Sequence, residues 1–243
     1  MPEVLRATFL ASRDLMRPGM LFHALWPPIV SMLGWGLLAQ SVWAPARERV
    51  QASFPDWGWL SGGWWSDWIA NIFLLMAFAP LVYFTTLMLL AAFALPRMMT
   101  VIADSDYPDL VRQGGGGLMG AFWGSIVNTL VAGSIFVVGW LLTLPFLLIP
   151  GVLLVMPFFW LAWINQRTFR FDALAEHATP PERTRIVREA RGPLYLGGAI
   201  SALVTHIPII NFLAPAWTAL LFVHLCLMRL RLERKEGTVV WEQ

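Results

Sequence analysis

Cysteine is all but missing from this chain: Cys226 stands alone among 243 residues. A disulfide framework is therefore excluded, and Cys226, inside an apolar run, reads as a small packing residue. Charge is also scarce. Only 13% of residues are charged against 58% apolar, the mean hydropathy is +0.63, and Lys235 is the single lysine. A soluble domain of this size could not hide so much apolar surface, so lipid must be part of the solvent. The basic residues, with a net charge of only +2, form no soluble basic face, which excludes a nucleic-acid partner. The start, MPEVLRATFLASRDLMRPG, lacks the apolar core of a signal peptide. Neither a pair of histidines nor a histidine with carboxylates has ligand spacing on one helix, so no metal site and no cofactor are expected. No nucleophile–base arrangement stands out either. An enzyme is not expected, and no catalytic residue is assigned.

What is present is a set of long apolar runs punctuated by proline and arginine. Residues 1–17 space Val4, Leu5, Phe9, Leu10, Leu15 and Met16 among Arg6, Arg13, Asp14 and Arg17, which suits a short amphipathic helix lying at the membrane interface. Pro18-Gly19 breaks it. Residues 20–43 and 69–95 are each long enough to cross a hydrocarbon core about 30 Å thick, which needs roughly 20 helical residues. Pro27-Pro28 and Pro80 are expected to kink them. Between them, residues 44–68 carry Trp57, Trp59, Trp64, Trp65 and Trp68, a loop suited to the headgroup level.

After the second crossing, Asp104, Asp106 and Asp109 lack the glycine and closing glutamate of a calcium loop, and read as a solvated face or as partners for arginines elsewhere. Gly114 to Gly117 lacks the lysine and hydroxyl of a phosphate loop. Two apolar hairpins follow, at 118–163 and 194–228, separated by a charged segment, 167–192, in which Thr179 or Pro180 can begin a helix. The hairpins look like copies: Ile149-Pro150 is followed by Pro157, and Ile207-Pro208 by Pro215, at the same spacing.

The second hairpin turns at HIPIINFLAP, residues 206–215. Its first limb, Leu194 to Thr205, gives only about 18 Å of helix, too short to cross. The chain is expected to enter partway and return, with its turn buried in protein or facing a watery cavity. Asn211 either caps the returning helix or lies where that helix start faces an anion. His206 either bonds a free carbonyl at the turn or lines a polar path. His23 and His224 read as lone packed or interfacial residues. The segments expected on one side hold 15 of the 17 basic residues, which places both termini in the cytoplasm and the Trp-rich loop outside. The whole reads as one all-α integral membrane domain, 1–243, with an interfacial helix, two transmembrane helices, two re-entrant or short hairpins and a cytoplasmic charged helix between them.

Three stretches, RDLMRPGMLFHALWPPIV, IPGVLLVMPFFWLAWINQRTFRFDAL and ERTRIVREARGPLYLGGAISALVTHIPIINFLAP, give the chain a resemblance to the CysZ sulfate-permease family, which shares a domain with the etoposide-induced endoplasmic-reticulum membrane proteins. The resemblance implies an inner-membrane homo-oligomer that passes a small inorganic anion such as sulfate passively, with membrane lipids around it. The alternative it allows is a non-transporting membrane scaffold or quality-control protein. In the sulfate permeases two arginines follow the Pro-Gly break after one residue; here those positions are Leu21 and Phe22. The anion-binding or pore candidates are then Arg17, Gly19, His206 and Asn211.

Overall fold

The computed structural model describes residues 2–53, 64–113, 117–143, 145–146, 149, 151–207 and 209–240. Among these the chain is helical throughout, without a strand: α1 Pro2–Leu15, α2 Pro18–Ala52, α3 Trp64–Leu89, a π turn Leu90–Ala94, α4 Leu95–Asp106, α5 Gly117–Thr143, α6 Val152–Ala175, α7 Pro180–Glu189, α8 Arg191–Thr205, a 3-10 turn Ile209–Phe212 and α9 Ala214–Val240. Among the described residues, three stretches are long and apolar enough to span a bilayer: Pro18–Ala52, Trp65–Asp106 and Ala214–Lys235. The first two, at 35 and 42 residues, would be about 52 and 63 Å long as helix and outrun a core about 30 Å thick.

The chain falls into two compact units, residues 22–94 and residues 1–21 with 95–243. The first is an antiparallel pair of helices, α2 and α3. From one end to the other, Trp26 meets Phe93, Ser31 Oγ donates to the Val82 carbonyl at 2.7 Å, Trp35 Nε1 to Thr85 Oγ1 at 3.0 Å, Trp43 Nε1 to Asn71 Oδ1 at 2.9 Å and Gln51 Nε2 to Asp67 Oδ1 at 2.6 Å. Helix α2 thus continues nine residues beyond the end suggested by the apolar run, and α3 begins within the stretch read as a loop. Ala44, Ala46, Arg47, Glu48, Arg49 and Gln51 are good helix formers that outweigh Pro45, and Arg47 lies 3.8 Å from Asp67. Trp57 and Trp59 lie outside the described residues.

Helix α4 carries the chain in helix beyond residue 95, where the second crossing is expected to end. Pro96 has no N–H and its ring would collide with the carbonyl four residues back. The π turn immediately before it takes up that defect, so the chain remains helical to Asp106, where Met98, Ile102 and Ala103 form a buried face.

In the second unit α9 is the core element. Leu220, Leu221, Phe222, Val223, Leu225, Cys226, Leu227 and Leu230 are all shut from solvent, with α1, α4, α6, α7 and α8 packed around them. Phe222 stacks on Phe169 of α6. Helices α6 and α8 approach tightly at Gly198, where an added Cβ would lie 2.3 Å from the Ala162 carbonyl oxygen. The charged segment 167–192 begins as the end of α6 and then forms the helix expected from Thr179 or Pro180, α7, before α8 starts at Arg191. Thr179 caps α7 as its sequence suggests, its N–H and hydroxyl both reaching the Glu182 carboxylate, at 2.7 and 2.9 Å. Arg234 of α9 bonds the same carboxylate at 3.0 Å.

The proline repeat of the two hairpins does not carry through. Pro215 is the second residue of α9, but Pro157 lies inside α6, which has already begun at Val152. Gly151 starts that helix instead, with φ at +90°, a backbone value open to glycine at little cost. Pro150 and Pro208 lie outside the described residues.

Candidate functional site

Helix α1 buries Val4, Ala7, Ala11, Asp14 and Leu15. Their spacing places one charged residue, Asp14, on an otherwise apolar face that packs against α9. The charge is met at once. Asp14 Oδ2 lies 2.8 Å from His224 Nε2, and His224 Nδ1 lies 3.0 Å from the Tyr107 hydroxyl. A carboxylate can only accept, so Nε2 carries the proton and Nδ1 takes one from Tyr107. In this tautomer a neutral imidazole satisfies both neighbours. Asp14 and His224 are fully buried and Tyr107 is 3% exposed.

Two guanidiniums complete the carboxylate. Arg13 Nε donates to Asp14 Oδ1 at 2.8 Å, and Arg17, one turn on, reaches the same oxygen at 2.9 Å. Burial alone would raise the Asp14 pKa, but the bonds from Arg13 and His224 and the charge of Arg17 outweigh it and hold it below the usual range. The same bond raises the pKa of Arg13. Burial raises that of the Tyr107 phenol, which stays neutral, with the Arg231 guanidinium 4.6 Å above its ring.

Acid, imidazole and hydroxyl in this order would be a hydrolytic relay if a substrate could reach the hydroxyl. Burial closes that path, and a phenol held neutral is a poor nucleophile. Asp14, Asp106 and His224 also bring possible metal-ligand atoms within 4.8 Å of one another. The Asp14 oxygens already face two guanidiniums and an imidazole N–H, an environment for an anion and against a cation. The arrangement is a structural lock joining α1, α9 and the residue after α4. Sequence reasoning missed it because Asp14 and His224 stand 210 residues apart. The available signal was an acid at a position where the α1 pattern calls for an apolar residue.

Asp106 completes the cluster. Its carboxylate lies 3.3 Å from Arg13 and 4.0 Å from Arg17, while its backbone carbonyl accepts from Arg231 at 2.9 Å. Arg231 also pairs with Asp109, and Arg112 with Asp104 at 2.9 Å. All three aspartates of this segment thus serve as partners for arginines.

The four sequence candidates divide between two places. Arg17 belongs to the cluster. It precedes Pro18, the first residue of α2, where a missing N–H costs nothing. Gly19 is the next residue, with open space where a side chain would stand. His206 and Asn211 sit at the turn between α8 and α9. His206 ends α8 with Nδ1 2.6 Å from the Ala202 carbonyl and its ring near Phe158. Asn211 falls in the 3-10 turn; its N–H bonds the Ile207 carbonyl, and its buried Oδ1 has no hydrogen-bond partner among the described residues. Because α9 begins at Ala214, Asn211 does not occupy the cap position.

The sequence model of the family described as Sulfate transporter CysZ/Etoposide-induced protein 2.4 matches residues 7–215, and the chain belongs to that family. No curated protein and no solved structure matches it.

Proposed function

We propose that this member of the CysZ and etoposide-induced protein family is an inner-membrane permease that lets a small oxyanion, of the sulfate type, pass down its gradient. The match over residues 7–215 carries the reading. The arginines at the corner between α1 and α2 suggest where the anion is met. Helix starts at α6 and α9 would contribute only about 0.3–1 kcal/mol each, whereas a charge-assisted bond from arginine is worth about 1.5–3 kcal/mol. Arg17 therefore dominates the site in this reading. Gly19 leaves the approach open, and His206 and Asn211 line the turn of the short hairpin.

The test is flux through liposomes containing the purified protein, with sulfate, sulfite and chloride as competing tracers. Arg17→Gln should abolish sulfate flux. Leu21→Arg with Phe22→Arg should raise it. Leu21 is half-buried and Phe22 is 66% exposed, so both positions can take the longer side chain. No flux in any of these proteins would overturn the permease reading.

A second reading has its own support. Arg13, Arg17, Arg112, Arg229, Arg231 and Arg234 all face carboxylates of the chain itself, and Leu21 and Phe22 replace the family's basic pair. A non-transporting scaffold would look like this, and absent flux would favour it. In either case we infer a homo-oligomer, because the short α8–α9 hairpin needs cover at its turn, and both termini in the cytoplasm, from the distribution of arginine. Cross-linking that finds only monomers at high concentration, or a reporter that places 167–192 outside, would overturn these two points in turn.

A further inference from the structure

We propose that Asp106 is a built-in occupant of the arginine site, and that an external oxyanion binds Arg13 and Arg17 by displacing its carboxylate. This rests on the permease reading above and adds to it what keeps the site closed.

The two carboxylates that face the arginines are held very differently. Asp14 is fully buried, lies 2.8 Å from Arg13 and 2.9 Å from Arg17, and is anchored from behind by His224. It acts as the fixed wall that aims both guanidiniums. Asp106 faces the same two guanidiniums at 3.3 and 4.0 Å, with its side chain 24% exposed. Beyond these two arginines its carboxylate takes a bond from the neighbouring Ser105 hydroxyl at 2.9 Å. Its backbone is held separately, through the Arg231 bond to its carbonyl oxygen. The Asp106 side chain can therefore swing away while the chain around it stays in place. Arg13 and Arg17 keep 46% and 41% of their side-chain surface open, enough for an ion to approach.

A carboxylate and a tetrahedral oxyanion present the same chemistry to a guanidinium, two oxygens sharing negative charge. A divalent ion brings more charge than the single carboxylate it replaces and can compete for the pair. A monovalent halide offers neither the second charge nor the second oxygen. The self-filled site thus favours divalent oxyanions over chloride and remains neutralised when none is present.

The experiment is a titration of the full-length protein in detergent with sodium sulfate against sodium chloride at matched ionic strength. Unfolding is read by reaction of the buried Cys226 with a thiol-sensitive dye. Asp106→Asn, nearly the same shape without the charge, should bind sulfate about tenfold tighter than the parent, the effect of freeing one charge-assisted bond. Asp106→Ser is a second variant with the same loss of charge, should the amide perturb folding. Adding Arg13→Gln to Asp106→Asn should remove the gain. A merely structural Asp106 would change the melting temperature without changing its sulfate dependence. Sulfate binding by the parent with no gain in either Asp106 variant overturns this inference and leaves the permease reading intact. Absence of both sulfate binding and flux in all of them overturns both.

Discussion

The α2–α3 hairpin and the helix α9 are both long and apolar enough to span a bilayer, yet they are covered by different things. In the most apolar stretch of Pro18–Ala52, 22% of residues are buried within the protein, and in that of Trp65–Asp106, 11%; in that of Ala214–Lys235 the share is 72%. Apolar side chains such as Leu37, Phe73, Met76 and Phe84 face outward on the hairpin, where lipid must cover them, while those of α9 are covered by five other helices. The polar interactions follow the same division. Over most of its length the hairpin is tied by single neutral bonds from Ser31, Trp35 and Trp43, with Asp67 facing Gln51 and Arg47 at one end. The bundle around α9 holds a buried ionic network, with Asp14, His224, Tyr107 and the surrounding arginines at one corner. Hydropathy alone ranks α3 above α9 as a span; only packing shows that α9 is mainly a protein core.

The sharpest way to break this comparison is to remove the wall of the ionic network. Asp14→Ala leaves His224 Nε2–H and two guanidiniums without their carboxylate, and loss of one partner of a buried pair costs about 3–5 kcal/mol. The thiol-dye transition of Cys226 should fall to a markedly lower temperature, and hydrogen exchange should rise in α1 and α9. An unchanged transition would mean that the network is ornamental.

Acid should act next, and selectively. Asp14 and Glu182 both have folded pKa values held below normal, despite burial, by hydrogen bonds from Arg13 and His224 in one case and from Arg234 and Thr179 in the other. A depressed folded pKa contributes stability above the unfolded value of about 4, and that stability is lost as pH falls through the lower, folded value. The bundle should therefore loosen below about pH 4, while the bonds from Ser31, Trp35 and Trp43 contain no titrating group. Melting from pH 7 to 3, followed by exchange in each unit, tests this. Equal acid sensitivity in α2–α3 would remove the distinction.

Backbone contact gives a smaller effect. At Gly198 a methyl would press on the backbone oxygen of Ala162, whereas at Gly197 it would meet the Leu225 side chain at an ordinary 3.4 Å. Gly198→Ala should cost about 1–3 kcal/mol through overpacking. Gly197→Ala should be neutral or slightly stabilising, since alanine favours helix over glycine by about 1 kcal/mol. Thermal unfolding of the pair tests whether α8 approaches α6 more tightly than it approaches α9.

These cases also show what the sequence makes legible. The Thr179 cap, the break before Pro18 and the too-short helix before His206 are local, set by residues within a turn of one another. The extension of α2 to Ala52 and of α4 beyond Pro96 depends on a contact with Asp67 and on a π turn, neither of which a hydropathy pattern contains. The membership of Arg17 in a neutralised cluster is hidden for the same reason: its acidic neighbours include Asp106, at the end of a helix that runs past the expected end of the second crossing. Asn211 is a subtler miss. Asparagine before an apolar helix reads as a cap, but a 3-10 turn moves the helix start two residues along.

The smallest effect belongs to the hairpin. Ser31 Oγ and Thr86 Oγ1 both donate to the Val82 carbonyl, at 2.7 and 2.8 Å. Interhelical hydrogen bonds in a bilayer average only about 0.6 kcal/mol, because separated helices find other partners. Ser31→Ala should cost about that much, since Thr86 still bonds the same oxygen. Thr86→Val, which removes a bond within α3 and keeps the shape, should cost no more. Together they deprive the carbonyl of both hydroxyls, so the double variant should cost more than the sum of the two, with a coupling of at least about 0.5 kcal/mol for groups sharing one acceptor. Unfolding of the four proteins in lipid nanodiscs measures that cycle. Strict additivity would show that the two hydroxyls act independently, and that shape rather than polar bonding holds α2 against α3.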